Sequence, residues 1–240
     1  MGKNILTVVF TVVYLLTVFS CVTTNSVEKS ELEVVNGKLA LIEMIRSSSA
    51  TASSLLAQQQ KWSAFSQELL TEQSLVILNY LDEIPGIKRQ LENYYLAINI
   101  FIEEVAANLP AYIENNILPN LFISDPFILI EGSEDAVTRF FASQSSPLFE
   151  KWIREQFQLA KGNEALNAYK RVEQTFNTYI KSESVIWAKE NPKEITGDII
   201  YPVTVSLLRQ FIRDMSEQEA LLRALAPASE SSWSSLFVPY

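Results

Sequence analysis

The apolar residues of this chain recur three and four apart along most of its length, and that period predicts helices. The strongest case runs from Ile87 to Leu109, with Ile87, Leu91, Tyr94, Ile98, Phe101, Ile102, Val105 and Leu109 on one stripe. From Tyr94 to Ile102 nearly every residue except Asn99 is apolar, so this helix is expected to be central and hydrophobic all round. Pro110 is expected to end it, and Pro119 to end a shorter helix over Ala111 to Ile117. Asn163 to Ser182 carries a second clean stripe of Leu166, Tyr169, Val172, Phe176 and Tyr179. Pro202 to Leu225 carries a third, with Leu208, Phe211, Ile212, Met215 and Leu222 inward. Glu28 to Arg46 reads as a helix weakened at Asn36-Gly37, and Leu55 to Leu81 as a helical run turned by Pro85-Gly86. Ser47 to Ser54 is either a loop or a thin helix packed closely against a neighbour.

Between the long stripes, Asp125 to Ala160 is punctuated as three short helices. Asp125-Pro126 opens the first and Gly132 closes it. Ser133 caps the second, with Glu134 and Asp135 at its positive end. Ser146-Pro147 opens the third, which runs to Phe157 and stops at Lys161-Gly162. This cluster is expected to be the hub on which the longer helices pack. After Pro227, Trp233 and Phe237 lie four apart, so a short helix there presents both on one face. With only 6 Gly and 9 Pro in 240 residues, the pattern describes an all-α multi-helix bundle with short helices in its middle.

The N-terminus adds an address. Lys3 precedes an apolar run from Ile5 to Phe19, then Ser20 and Cys21, which reads as an export signal over residues 1–20. Val18-Phe19-Ser20-Cys21 resembles the lipobox of bacterial lipoproteins, in which the cysteine is acylated. The alternative is an uncleaved transmembrane anchor, for which the uncharged run from Asn4 to Val27 is long enough. Residues 21–28 then form a tether and residues 29–240 a single helical domain. Both alternatives put that domain outside the cytoplasm, facing the periplasm or cell exterior, with the membrane as a partner through the N-terminus.

Composition removes several chemistries. There is no histidine, so Ser-His-Asp and Cys-His catalysis and imidazole metal sites are excluded. Cys21 is the only cysteine, so no intramolecular disulfide forms. The net charge of −9, without a basic stripe, argues against nucleic acid. The scattered glycines make no phosphate-cradling loop, and no cofactor is implied.

Several stretches resemble a family of exported bacterial lipoproteins known only as a domain of unknown function. Ile98-Asn99-Ile100-Phe101-Ile102-Glu103 is similar to its Leu-Asn-Arg-Ala-Ala-Glu helix motif. Ile130 to Phe141 is similar to its central motif, Gly-Gly-(two acids)-Ala-x-Thr-x-Tyr-Phe, with Glu131 in place of a glycine and Thr138 at the threonine. Tyr201 to Arg223 resembles its last long helix and Pro227 to Val238 its apolar C-terminal piece. The resemblance implies an all-α envelope protein and brings no reaction with it.

Candidate chemistry is sparse. Asn99 and Glu103 share one face of the central helix and either bind a ligand or hydrogen-bond backbone, with the hub around Gly132 to Thr138 as the expected partner. Glu131, Glu134 and Asp135 with Glu103 are an acidic set without a calcium-loop pattern, so they read as helix-dipole compensation. Glu183-Ser184 is similar to the catalytic pair of lytic transglycosylases, but Val185-Ile186-Trp187 follows where Gly-Leu-Met-Gln is needed. Tyr94, Tyr95, Trp152, Tyr169 and Phe176 fall at core spacing. The expected role is therefore non-catalytic binding or structure, with an envelope protein or a small apolar ligand as partner. The rival is a wall-acting enzyme that uses a glutamate.

Overall fold

The computed structural model describes residues 29–58, 66–182, 193–228 and 233–237, and these are helical with no strand among them. The first helix, α1 (Glu31–Leu56), starts on a capping box in which the Glu33 carboxylate accepts from the Ser30 amide at 2.7 Å. It continues straight through the serine-rich stretch. Ser48, Ser49, Ala52 and Ser53 are buried there, and small side chains let neighbouring elements come close. Their hydroxyls are satisfied within the helix, Ser48 donating to the Met44 carbonyl at 2.7 Å and Ser53 to the Ser49 carbonyl at 2.8 Å.

The expected run from Leu55 to Leu81 is not one helix. Its described part forms two 3-10 pieces, Gln67–Leu69 and Glu72–Tyr80. The carbonyls that an α-helix would use internally are taken from outside. Ser66 accepts from the Tyr95 hydroxyl at 3.0 Å, Glu68 from Ser206 at 2.9 Å and Leu69 from Tyr94 at 2.5 Å. Thr71 then caps the second piece, accepting from the Ser74 amide at 3.1 Å.

The central helix, α2 (Ile87–Tyr112), buries the predicted stripe. Its outer side is open, with Leu96 60% exposed, so burial is one-sided despite the apolar sequence. Pro110 does not end it. Proline lacks the amide that would bond the Ala106 carbonyl, but it sits on the exposed side. The buried residues Leu109, Ile113 and Ile117 hold the chain on course through a π turn, Ile113–Ile117, and a 3-10 turn, Leu118–Asn120.

In the predicted hub, α3 (Pro126–Ile130) forms as expected, with Asp125 accepting from the Phe127 amide at 2.9 Å. It packs on α1 so closely that a Cβ on Gly37 would lie 2.8 Å from Pro126 Cγ. The second and third expected helices are a single helix, α4 (Ala136–Gln156), with Pro147 inside it. Pro147 and Ser143, whose carbonyl it cannot bond, both lie on the exposed side, so the lost bond leaves no buried polar group. Phe141, Ser145, Phe149 and Trp152 keep one buried stripe running past the proline.

Two further helices complete the bundle, α5 (Ala160–Ile180) and α6 (Ile200–Leu225). Helix α5 lies antiparallel to α2, with Tyr94 against Tyr169 at 5.4 Å and Phe101 against Phe157 at 4.1 Å between ring centroids. Helix α6 pairs with α4 through Phe149 and Phe211 at 5.6 Å. Tyr112 stacks on Trp152 at 4.5 Å and joins α2 to α4 in one contiguous core. Asn177 pins the segment before α6, its amide and carbonyl bonding both backbone groups of Ile195. A short turn, Ser234–Phe237, carries Phe237 into the core with Trp233 edge-on to it at 6.2 Å.

Gly162 does not stop a helix; it lies in the first turn of α5, two residues beyond the corner. A Cβ there would sit 2.3 Å from Phe157 Cα and 2.6 Å from the Gln156 carbonyl oxygen, both backbone atoms that cannot swing away. Only glycine permits this approach of α5 to the end of α4. Gly162→Ala should therefore destabilise the fold by at least ~1–3 kcal/mol, the usual range for forced overpacking. Urea denaturation checks this, and an unchanged midpoint would show that the corner relaxes freely.

Candidate functional site

The richest concentration of buried polar groups lies where α6 meets the hub. The stripe that buries Val203, Leu207, Phe211 and Met215 continues, four residues on, to Glu219, which is 0% exposed. A charge in that position needs partners on every side. Glu219 Oε1 accepts from the Val137 amide at 3.0 Å, and Oε2 accepts from the Thr138 amide at 2.6 Å. These are free amides of the first turn of α4, so a carboxylate from far along the chain acts as its cap. The α4 N-terminus also carries the positive end of the helix dipole, which favours an anion there.

Arg223 lies one helical turn along from Glu219. Its Nε donates to Glu219 Oε1 at 2.9 Å, and Nη2 lies 2.8 Å from the same oxygen. The far side of the guanidinium caps the other helix end: Nη1 donates to the Ile130 carbonyl at 2.8 Å and Nη2 to the Leu129 carbonyl at 2.8 Å. These carbonyls close α3, whose negative dipole end favours a cation. Only the planar fork of arginine faces a carboxylate and two carbonyls at once; lysine is a point donor. Phe237 covers the guanidinium, with its ring centroid 4.8 Å from Cζ. One ion pair therefore seals the end of α3, the start of α4 and the C-terminal turn together.

The predicted candidates fall around this pair in different ways. Thr138 is buried and supplies an amide to Glu219, while its Oγ1 has no hydrogen-bond partner among the described residues. Glu131 is exposed at the C-cap of α3, immediately after the carbonyls that Arg223 holds. Ser133 does not cap α4 with its side chain; its hydroxyl donates to Asp135 at 2.8 Å and accepts from Arg139. Asn99 and Glu103 are one turn apart and half-buried on α2. The two amides at the start of α4, within the stretch where Asn99 was expected to bond, are held by Glu219. Cys21, Glu183 and Ser184 lie outside the described residues.

The aromatic candidates belong to the core. Tyr94, Tyr95 and Tyr169 have hydroxyls committed to the Leu69 carbonyl, the Ser66 carbonyl and Ser74. Burial pushes the phenols of all three up from their ordinary range. Among the described residues no group of acids is placed to hold a metal ion. The open groove of about 350 Å³ between α2 and α5 has an apolar floor of Leu96, Ala97, Ile100 and Ala168.

Sequence reasoning did not single out Glu219 and Arg223, yet a signal was present. Glu219 continues the four-residue spacing of Phe211 and Met215 into the core, and an acid in an inward stripe, one turn before an arginine, marks a buried pair. No family model, curated protein or solved structure matches this chain.

Glu219→Ala would leave a buried guanidinium and two buried amides without their acceptor, at an expected cost of about 3–5 kcal/mol. Thr138→Val keeps the amide and removes only an unsatisfied hydroxyl, so its stability should match or exceed the parent's. Denaturant unfolding of both variants separates the roles: a large loss in Thr138→Val would mean that the hydroxyl is used.

Proposed function

We propose that this chain is an envelope lipoprotein, held to a bacterial membrane through an acylated Cys21, that binds or braces a partner rather than catalysing a reaction. The observation that carries the reading is the commitment of the Glu219–Arg223 pair to helix ends. The most buried acid in the described core accepts from the Val137 amide on one oxygen and from the Thr138 amide on the other, and Arg223 donates to the first. A general acid or base needs a carboxyl free to exchange a proton with substrate. This one is committed to helix ends.

Three of the four stretches that carry the resemblance to the exported lipoprotein family meet at this pair, and the Ile98 to Glu103 stretch does not. The central motif supplies the Ile130 carbonyl and the Val137 and Thr138 amides. The last long helix supplies Glu219 and Arg223, and the C-terminal piece supplies Phe237.

Two measurements test the reading. Mass spectrometry of the mature N-terminus should find acyl groups on Cys21, and an intact Met1 would reject the anchor. Purified protein incubated with isolated cell wall should release no soluble fragments. Release that disappears in Glu183→Gln would establish the enzymatic rival instead.

A further inference from the structure

The groove between α2 and α5 is built from two matching stripes. Four residues of α2, from Asn93 to Ile100, and four of α5, from Glu164 to Arg171, line this one continuous groove, and both sets follow the spacing i, i+3, i+4, i+7. Its floor includes Leu96, which the apolar central helix leaves 60% exposed. The helices run antiparallel, so Asn93 lies at the Arg171 end of the groove and Ile100 at the Glu164 end. The α2 stripe continues one turn beyond the groove in each direction, to Arg89 and to Glu104. Among the described residues, Arg89, Glu104 and Arg171 have no ion-pair partner, and Glu164 has only the exposed Lys161 at 3.2 Å. An exposed pair of that kind holds its members weakly.

We propose that this groove is the contact face of a symmetric dimer, in which a second copy of this chain lays the same face on it about a two-fold axis. A closed pair of identical chains must use one self-complementary patch. With the axis running across both helices, through the midpoint of each stripe, α2 lies antiparallel on α2 of the second copy, and α5 on its α5. Leu96 of each copy then meets Ala97 of the other, a large side chain over a small one. Glu164 meets Arg171, and Arg89 meets Glu104, each contact being made twice by the symmetry. No like charges face each other along either stripe. The other two-fold, parallel to the helices, sets α2 on α5. It places Ile100 against Glu164 and Asn93 against Arg171, and it pairs no opposite charges. The charge pattern therefore selects the first arrangement and fixes its register. From Arg89 to Glu104 the face is about 23 Å long, and two helices side by side are about 20 Å wide, a footprint on the order of 500 Å² per copy. Weak, reversible interfaces have this size. The expected state is a monomer–dimer equilibrium rather than a permanent dimer.

The test is sedimentation equilibrium of the full chain in density-matched detergent, over a concentration series. The parent should pass from monomer to dimer as its concentration rises. Glu164→Arg and Arg171→Glu each set like charges against each other at both ends of the α5 contact, and each should weaken dimerisation at least tenfold. Both positions are exposed, so both variants should keep the parent's melting temperature. One variant carries arginine at both positions and the other glutamate at both. Mixed in equal amounts they regain both ion pairs in a mixed dimer, which should form within threefold of the parent's affinity. Arg89→Glu and Glu104→Arg repeat the exchange on α2 and should give the same losses and the same recovery. A parent that stays monomeric at millimolar concentration, as a groove kept for another protein or a small ligand would make it, overturns the proposal. So does a dimer that the reversals leave unchanged, or a loss that mixing does not restore.

Discussion

A buried carboxylate next to a buried guanidinium organises this fold. Taking Glu219 and Arg223 out of water is costly, and mutual attraction alone often fails to offset it. Here each charge also meets a helix terminus of the complementary sign, so the pair replaces lost hydration with backbone groups that need partners anyway. The short hub helix α3 illustrates the dependence. With five residues it is far below the length at which a helix is stable by itself. It persists because Asp125 caps one end, Arg223 caps the other, and Gly37 lets α1 close over Pro126.

Hydroxyl groups do comparable work at the other end of α6. Tyr94, Tyr95 and Ser206 hold three carbonyls of the segment around Gln67–Leu69, and Ser74 meets Tyr169 beneath it. Aromatic burial supplies the larger share of packing area there. The hydroxyls decide which backbone conformation that packing accepts. The molecule thus uses a charged lock at one junction and neutral pins at another, and both are directed at backbone ends that short or irregular pieces leave open.

Much of the fold was legible because helical periodicity reports directly on which face is buried. The stripe of α2 is buried residue for residue as read, whereas α5 buries Tyr169, Val172 and Phe176 but leaves Leu166 and Tyr179 at the margin. Helix α6 turns Val203 and Leu207 inward where Leu208, Ile212 and Leu222 were read. Boundary signals were less informative. Pro110 and Pro147 read as breaks, yet both sit on exposed sides, and the buried stripe on the opposite side carries the helix through. Gly162 read as a stop, but its role is steric and depends on the Phe157 backbone, which local sequence does not reveal. The polar centre was legible only in part. The hub was read at Asp125 to Ala160, while Glu219 lay more than 80 residues beyond the two amides it holds. What Glu219 takes from Thr138 is the backbone amide, which the residue type does not reveal.

That sequence separation has a bearing on how the chain comes into being. Val137 precedes Glu219 by 82 residues, an interval of roughly 4–16 s at ordinary rates of synthesis. During this interval the opening turn of α4 has no acceptor, and the closing turn of α3 has no cation. The junction cannot set until the final long helix has emerged. In this molecule the delay is written into chain order, because the residues that fasten the hub are among the last to be delivered.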